Sequence, residues 1–366
     1  MITLQEKGSL PYETKDNVAI FRVPNKSFFR PFRFAKPTNI LLHTCKVIWN
    51  LLLQNLLPEF YGWKKEAQSL IQKLKKEKTY DIILSSYAPA VTHELALIAK
   101  KNSTSKWIAD MRDEMSLNPF LSSIKKTKLA KLEQKIFDAC DMITSVSKPI
   151  LEDFRNLAKT KAKNIRFVEI RNGYDFPIVE ISHPKNSCFT ISYIGSFYGE
   201  RNPENFLKAL SLLYNQEIFS IKVNLIGTSK PIYIPKNLSE VIEISSLVSH
   251  SRALEIMHES DALLLIHPTT GRKGVYTGKL FEYLGMLKPI IALVDKEDVA
   301  AHLIKQTNAG YIAENSDLED IQNCILEAYN QWKDNTIRLF NTEIIAKHHR
   351  KEQIKRLEKA ILELSC

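Results

Sequence analysis

Eight short apolar runs recur along the chain: Ile82–Ser85, Trp107–Ala109, Met142–Val146, Arg166–Ile170, Thr190–Ile194, Lys222–Ile226, Ala262–Ile266 and Ile290–Val294. Most are followed by a longer stretch with helical spacing, such as Val91–Lys101, Lys125–Ala139, Pro203–Tyr214, Ser251–Glu259 and Lys279–Met286. Strands that are apolar almost throughout are buried on both faces. That occurs in parallel sheets whose crossover helices cover both sides. The alternation predicts an α/β chain with more strand–helix units than one Rossmann-like sheet holds. Two parallel sheets are expected, in a first domain over residues 1–178 and a second over 179–340. A charged helical tail follows over 341–366. The break falls in Asn172–Lys185, a polar stretch holding Pro177 and Pro184.

Charge changes sign at the same place. Residues 1–178 hold 30 Lys and Arg against 18 Asp and Glu, whereas residues 179–366 hold 21 against 23. The net charge of +10 therefore belongs to the first half. Such a surface suits nucleic acid, an anionic membrane or an acidic acceptor, or is a solvated lysine-rich face. No zinc finger, basic-zipper heptad or RNP-like aromatic motif is present, which argues against nucleic acid. Phe28–Phe34 interleaves aromatics with arginines. That pattern seats rings at a lipid interface while cations meet phosphates; an ordinary loop with half-buried rings is the alternative. Val47–Leu57 is apolar but broken by Asn50, Gln54 and Asn55, and falls short of the ~18 apolar residues of a membrane span. The first residues lack the basic-then-apolar order of a secretory signal. The five cysteines, at 45, 140, 188, 324 and 366, form no C-x-x-C pair. Scattered thiols suit a reducing cytoplasm, so a cytoplasmic location, at the inner face of a membrane, is expected.

Three windows carry candidate chemistry. In Gly271–Pro289 a loop opens a helix near Gly278. A helix start offers unpaired N–H groups and a positive dipole end, which suit phosphate. Gly278 permits close approach, Lys279 adds a charge, and Thr277 is a candidate N-cap. Glu282 lies one turn on, on the same face, where a carboxylate can accept hydrogen bonds from a diol such as ribose. The alternative is a capped helix packing by Leu280, Phe281, Tyr283 and Leu284, with Glu282 solvated. In Tyr193–Pro203 a strand again ends in glycine, followed by Arg201 and a helix. Ligands of open α/β sheets bind at carboxyl ends of strands, so Arg201 and Lys279 are placed to clamp a diphosphate. Alternatively Arg201 pairs with Glu200 or Glu204. In Trp107–Glu114 a strand ends in Asp110, Arg112 and Asp113. This is either a site or an internal ion pair fixing the loop. His93, upstream, is a lone histidine of a kind more often structural than catalytic. Neither a P-loop nor a G-x-G-x-x-G fingerprint occurs.

In order, the segments SSYAPAVTHELAL (85–97), WIADMRD (107–113), LEQKIFDACDMITSVSKPI (132–150), RNGYD (171–175), YIGSFYGERNPENFLKAL (193–210), HESDALLLI (258–266) and GKLFEYLGMLKPIIA (278–292) resemble the GT-B glycosyltransferases of family 4, of the bacterial surface-polysaccharide type. The resemblance implies two Rossmann-like domains facing a cleft. The first would be the acceptor side and the second would bind a nucleotide-diphosphate sugar, with the terminal helix crossing back. It assigns Arg201 to the donor diphosphate, together with Gly195 and Ser196 at the same strand end. Thr277, Gly278, Lys279 and Leu280 form the helix-terminus phosphate site. Glu282 is the second glutamate of an E-x7-E motif that holds ribose, and Val248, in the Leu247–Ser249 loop, lies near the base. Asp113, Arg112 and His93 are the candidates for contact with the acceptor hydroxyl or donor sugar.

Three departures from the pattern stand out: Gly274 replaces the first glutamate, Ser196 stands where arginine is frequent, and Arg112-Asp113 stand where some members carry a histidine. The family's opening strand, glycine-rich loop and helix have no counterpart before Asn17–Val23, so a shortened N-terminal domain is expected. The implied activity is sugar transfer from a nucleotide sugar to a glycan or lipid-linked acceptor, with retention of configuration. It needs no cofactor or metal. The implied partners are the nucleotide sugar, the acceptor and an anionic membrane met through the basic half. Two alternatives stand beside it: a catalytically degenerate GT-B protein serving as a binding partner in polysaccharide assembly, and a sugar-nucleotide epimerase of the same architecture.

Overall fold

A computed structural model describes residues 1–26, 60–178, 186–197, 201–216, 220–228, 231–267 and 273–365. Phe28–Phe34, Val47–Leu57 and Glu200 lie outside the described residues. The chain divides into two compact units, Met1–Glu169 with Ala360–Cys366, and Ile170–Lys359.

Among the described residues, unit 1 holds two sheets. Strands β1 (Ile2–Leu4), β2 (Tyr12–Lys15) and β3 (Val18–Val23) form the first in the order β1-β3-β2, with β2 antiparallel. Strands β4 (Ile82–Ser86), β5 (Lys106–Asp110), β6 (Met142–Ser145) and β7 (Arg166–Glu169) form the second, parallel throughout. Helices α1 (Tyr61–Glu77), α2 (Val91–Lys100), α3 (Ser123–Ala139) and α4 (Lys148–Ala158) cover them. Trp63, Ala67 and Ile71 of α1 pack with Val23, Val91 and Leu95. Trp107, Ile136, Phe137, Ile143, Ile150 and Phe154 centre the main core.

Trp107 is fully buried, and its indole N–H donates to Ser85 Oγ at 2.9 Å. Trp107→Phe keeps the ring and removes that donor. A loss of about 1–3 kcal/mol of stability is expected in chemical denaturation; no change would show that the bond contributes nothing.

Unit 2 is built on six parallel strands: β8 (Phe189–Ile194), β9 (Ile221–Ile226), β10 (Ile242–Ser245), β11 (Ala262–Ile266), β12 (Ile290–Leu293) and β13 (Gly310–Ala313). Their order is β10-β9-β8-β11-β12-β13. Chain order thus reverses between β8 and β11, the switch point of a doubly wound sheet. Helices α5 (Glu204–Gln216), α6 (His250–Glu259), α7 (Gly278–Gly285), α8 (Val299–Thr307), α9 (Leu318–Lys333), α10 (Thr342–Ala346) and α11 (Arg350–Ser365) follow. From Ala360 onward α11 counts with unit 1, where Ala360 packs with Ile108 and Met142.

One device recurs in both units. Asp141 precedes β6 and its Oδ2 accepts the Trp107 N–H at 2.8 Å. Asp261 precedes β11 and its Oδ2 accepts the Thr190 N–H at 2.8 Å. Each carboxylate holds the first residues of the neighbouring strand. Among the described residues, no helix is long and apolar enough to cross a membrane.

Candidate functional site

Three strand ends of unit 2 converge on a cavity of about 260 Å³. It is lined by Gly195 after β8, Gly227 after β9, Val248 and His250 after β10, and Lys279 and Glu282 of α7. Glycine is needed at two of these ends. Gly195 has φ +128°, and a Cβ there would run into the Lys279 Nζ and Cε. Gly227 has φ +88°, and its Cβ would meet Gly195 Cα at 3.3 Å. Bare backbone is therefore exposed where the strands stop. Backbone bonds hold the arrangement: the Gly195 N–H donates to Ile226 O at 2.7 Å and the Gly227 N–H to Ser245 O at 3.0 Å. The Ser196 hydroxyl donates to Gly227 O at 3.1 Å.

Lys279 reaches back across Gly195. Its Nζ donates to Tyr193 OH at 2.9 Å and lies 4.1 Å from that ring's centroid. Tyr193 in turn stacks on Phe197 at 4.2 Å. Burial, and after it the Arg201 charge, lower the Lys279 pKa to about 8 against the opposing pull of Glu282. His267, 3% exposed, is lowered to about 3 by burial and then by Arg201 and Lys279. The fold thus gathers two cations and a neutral imidazole in one electrostatic neighbourhood. Bringing like charges together in a partly dry place is unfavourable. An anion bound there would offset that cost.

Helix α7 opens on this cavity. A Cβ on Gly278 would meet nothing within 4 Å, so the helix start is open. Thr277 occupies the N-cap position but its side chain makes no capping hydrogen bond. The N-cap position read from sequence is therefore occupied as expected, but the Thr277 hydroxyl lies 3.3 Å from His267 Nε2 in place of a capping bond. Leu280 is fully buried, and its N–H donates to Thr277 O at 3.2 Å. Glu282 Oε1 lies 3.2 Å from His250 Nε2, and its side chain is 21% exposed. The structure thus gathers Gly195, Val248, Lys279 and Glu282 around the cavity. Ser196 hydrogen-bonds beside it, Gly278 begins the same helix, and the Arg201 charge acts on Lys279.

Gly274 has φ +90°, and its N–H donates at 2.6 Å to Asp298, the N-cap of α8. A glutamate here would carry left-handed backbone strain. The glycine is part of a turn locked to the next helix.

The residues singled out in unit 1 divide. His93 is 0% exposed, with Nδ1 2.8 Å from Ser85 Oγ, and burial lowers its pKa to about 4. It lies between the rings of Tyr87 and Trp107, the packing of a core histidine. Arg112 sits at φ +23° and pairs with Asp110 at 3.7 Å. Asp110 also accepts from Ser86 at 2.7 Å and Thr144 at 2.8 Å. That is the internal ion pair offered as the alternative reading of the window. Asp113 is exposed.

Sequence reasoning missed Tyr193, Gly227, His250, His267 and Asp298. A third strand-end glycine in LIGTS was the available signal for Gly227. The others depend on contacts between segments distant in sequence.

This arrangement defines an α/β protein with the GT-B fold of glycosyltransferases, two units each built on a parallel sheet. Sucrose-phosphate synthase from Thermosynechococcus elongatus superposes on 100% of this chain and 88% of its own, with TM-score 0.64 and 13% identity. HepE of Anabaena, in a complex with UDP and glucose, matches 95% of this chain and 86% of its own, with TM-score 0.58 and 12% identity. A glycosyltransferase of Rickettsia africae matches 91% and 84%, with TM-score 0.57 and 14% identity. No protein-family model and no curated protein sequence matches the chain.

Proposed function

We propose that this chain is a glycosyltransferase that moves a sugar from a nucleotide-diphosphate sugar to a glycan or lipid-linked acceptor, with retention and without a metal. One observation carries the reading: Lys279, under the charge of Arg201, lies across the bare end of β8 at the switch point of the sheet. As the glycosidic bond breaks, the departing nucleoside diphosphate gains charge. Arg201, Lys279 and the open start of α7 stabilise that charge in place. Glu282 accepts the ribose hydroxyls, and the Leu247–Ser249 loop borders the base. Unit 1 is the acceptor side, where Asp113 and Arg112 remain candidates at the end of β5. Its basic composition suits an acceptor held at an anionic membrane on the cytoplasmic side.

His250 occupies the acceptor atom that ribose would use. Glu282→Ala is expected to weaken UDP binding about tenfold, the scale of a hydrogen bond to a charged group. His250→Ala is expected to tighten it, or leave it unchanged. Isothermal titration separates these outcomes, and a Glu282→Ala protein that binds as tightly as wild type would remove Glu282 from the site.

A catalytically degenerate relative is the second reading, favoured by Gly274 in place of a sugar-holding glutamate. Nucleotide binding without turnover of any UDP-sugar, with or without acceptors, would decide for it. An epimerised sugar nucleotide formed without acceptor would decide for the epimerase.

A further inference from the structure

Unit 1 carries a surface that the site above does not use. Leu117, Phe120 and Ile124 are 44%, 61% and 55% exposed. They are not loosely held. Ser116, just before them, is buried and donates from its N–H to Glu133 Oε1 at 2.9 Å. The Phe120 N–H donates to Asn118 Oδ1 at 3.0 Å. Ser122 then caps α3, its Oγ accepting from the Lys125 N–H. The loop is pinned at both ends with its apolar side chains outward.

Along α3, positions 124, 128, 131 and 135 follow the i, i+4, i+7, i+11 spacing of one helix face. They are Ile124, Lys128, Lys131 and Lys135, all exposed. Leu132, Ile136 and Phe137 point the other way, into the core. Between residues 118 and 135 the one carboxylate is Glu133, which is 1% exposed and bound to Ser116. The surface therefore presents three apolar side chains at the head of a lysine stripe, closed at its far end by Asp138, which pairs with Lys161 at 2.6 Å.

We propose that this surface docks on a bilayer containing anionic phospholipid, with Leu117, Phe120 and Ile124 entering the interface and the α3 lysines meeting lipid phosphates. Apolar side chains beside cations are what an interfacial element needs, because neither alone binds firmly. Charge complementarity selects the lipid. This deepens the membrane-held acceptor of the transferase reading and rests on it for that acceptor only.

The test is co-sedimentation of the full chain with vesicles of phosphatidylcholine containing one-quarter phosphatidylglycerol, against pure phosphatidylcholine, without nucleotide. Binding is expected only to the anionic vesicles, and to be lost near ~1 M salt, where screening reaches ~3 Å. Lys131→Gln with Lys135→Gln is expected to weaken binding roughly 25-fold, about fivefold per lysine. Phe120→Ser with Ile124→Ser is expected to weaken it at least ~10-fold. All four side chains are exposed; thermal melts check their folding, and the lysine pair alone carries the test if the apolar pair melts early. Wild type that ignores anionic vesicles, or variants that bind as wild type does, overturn the proposal. So does binding of duplex DNA through Lys131 and Lys135 in place of vesicles. Loss of UDP binding with intact vesicle binding would sink the transferase reading and leave this one standing.

Discussion

Lys279→Met is expected to cost roughly 10–150-fold in UDP affinity, the equivalent of about 1.5–3 kcal/mol for one charged hydrogen bond. Its melting temperature should not fall. The substitution keeps an apolar stem across Gly195 and removes an ammonium that burial and Arg201 both disfavour. Function and stability then move apart, as they do where a site is held in an unfavourable state for its ligand. The pH dependence follows from the same group. Free of ligand, Lys279 has a pKa of about 8. Below that it is charged and ready for a diphosphate. Above it, binding must take up a proton, so wild-type affinity is expected to fall as pH rises through 8, by up to ~10-fold per unit. Lys279→Met should lack this decline. Equal affinity for wild type and variant between pH 7 and 9, measured by titration, would remove the ammonium from the site.

Gly195→Ala should damage both fold and site. The residue sits at φ +128°, where an L side chain is strained, at about 1–3 kcal/mol. The new methyl also occupies the path of the Lys279 side chain. Lys279 must leave, and with it the bond to Tyr193. The expected result is an earlier denaturation midpoint and UDP affinity at least as poor as that of Lys279→Met. Gly278→Ala is the matched control, because its Cβ has open space. It should fold like wild type. A Gly195→Ala protein with normal affinity would show that Lys279 does not need to cross the strand end.

The main strands were legible because burial on both faces leaves a continuous apolar run. Ala262–Ile266 matches its expected span, and the others differ at their ends by a residue. What escaped was either short or partly exposed. Tyr12–Lys15 carries polar residues on an edge strand, and Ile242–Ser245 alternates apolar and polar positions. Neither resembles a buried run. The tail over 341–366 read as one helical pattern, but it breaks between α10 and α11. There His349 bridges Tyr174, a contact that periodicity cannot see. Within the site, Lys279 and Glu282 were legible from spacing on one turn of helix. The roles of His93 and Gly274 were not. One depends on what Tyr87 and Trp107 enclose, the other on a carboxylate 24 residues away. Both belong to tertiary packing.

The paired aspartates ahead of β6 and β11 have a consequence for how the chain can go wrong. A parallel ladder repeats itself every two residues, and a slide by one would turn every inward side chain outward. Each carboxylate grips a particular amide on the adjacent strand, Trp107 in one sheet and Thr190 in the other. A shifted strand would leave that oxygen facing the wrong atom. Each half of the molecule thus carries its own alignment mark, set where the strands begin. In unit 2 the opposite ends of the strands are left to Gly195, Gly227 and Lys279, set among apolar neighbours such as Ile194, Ile226 and Val248.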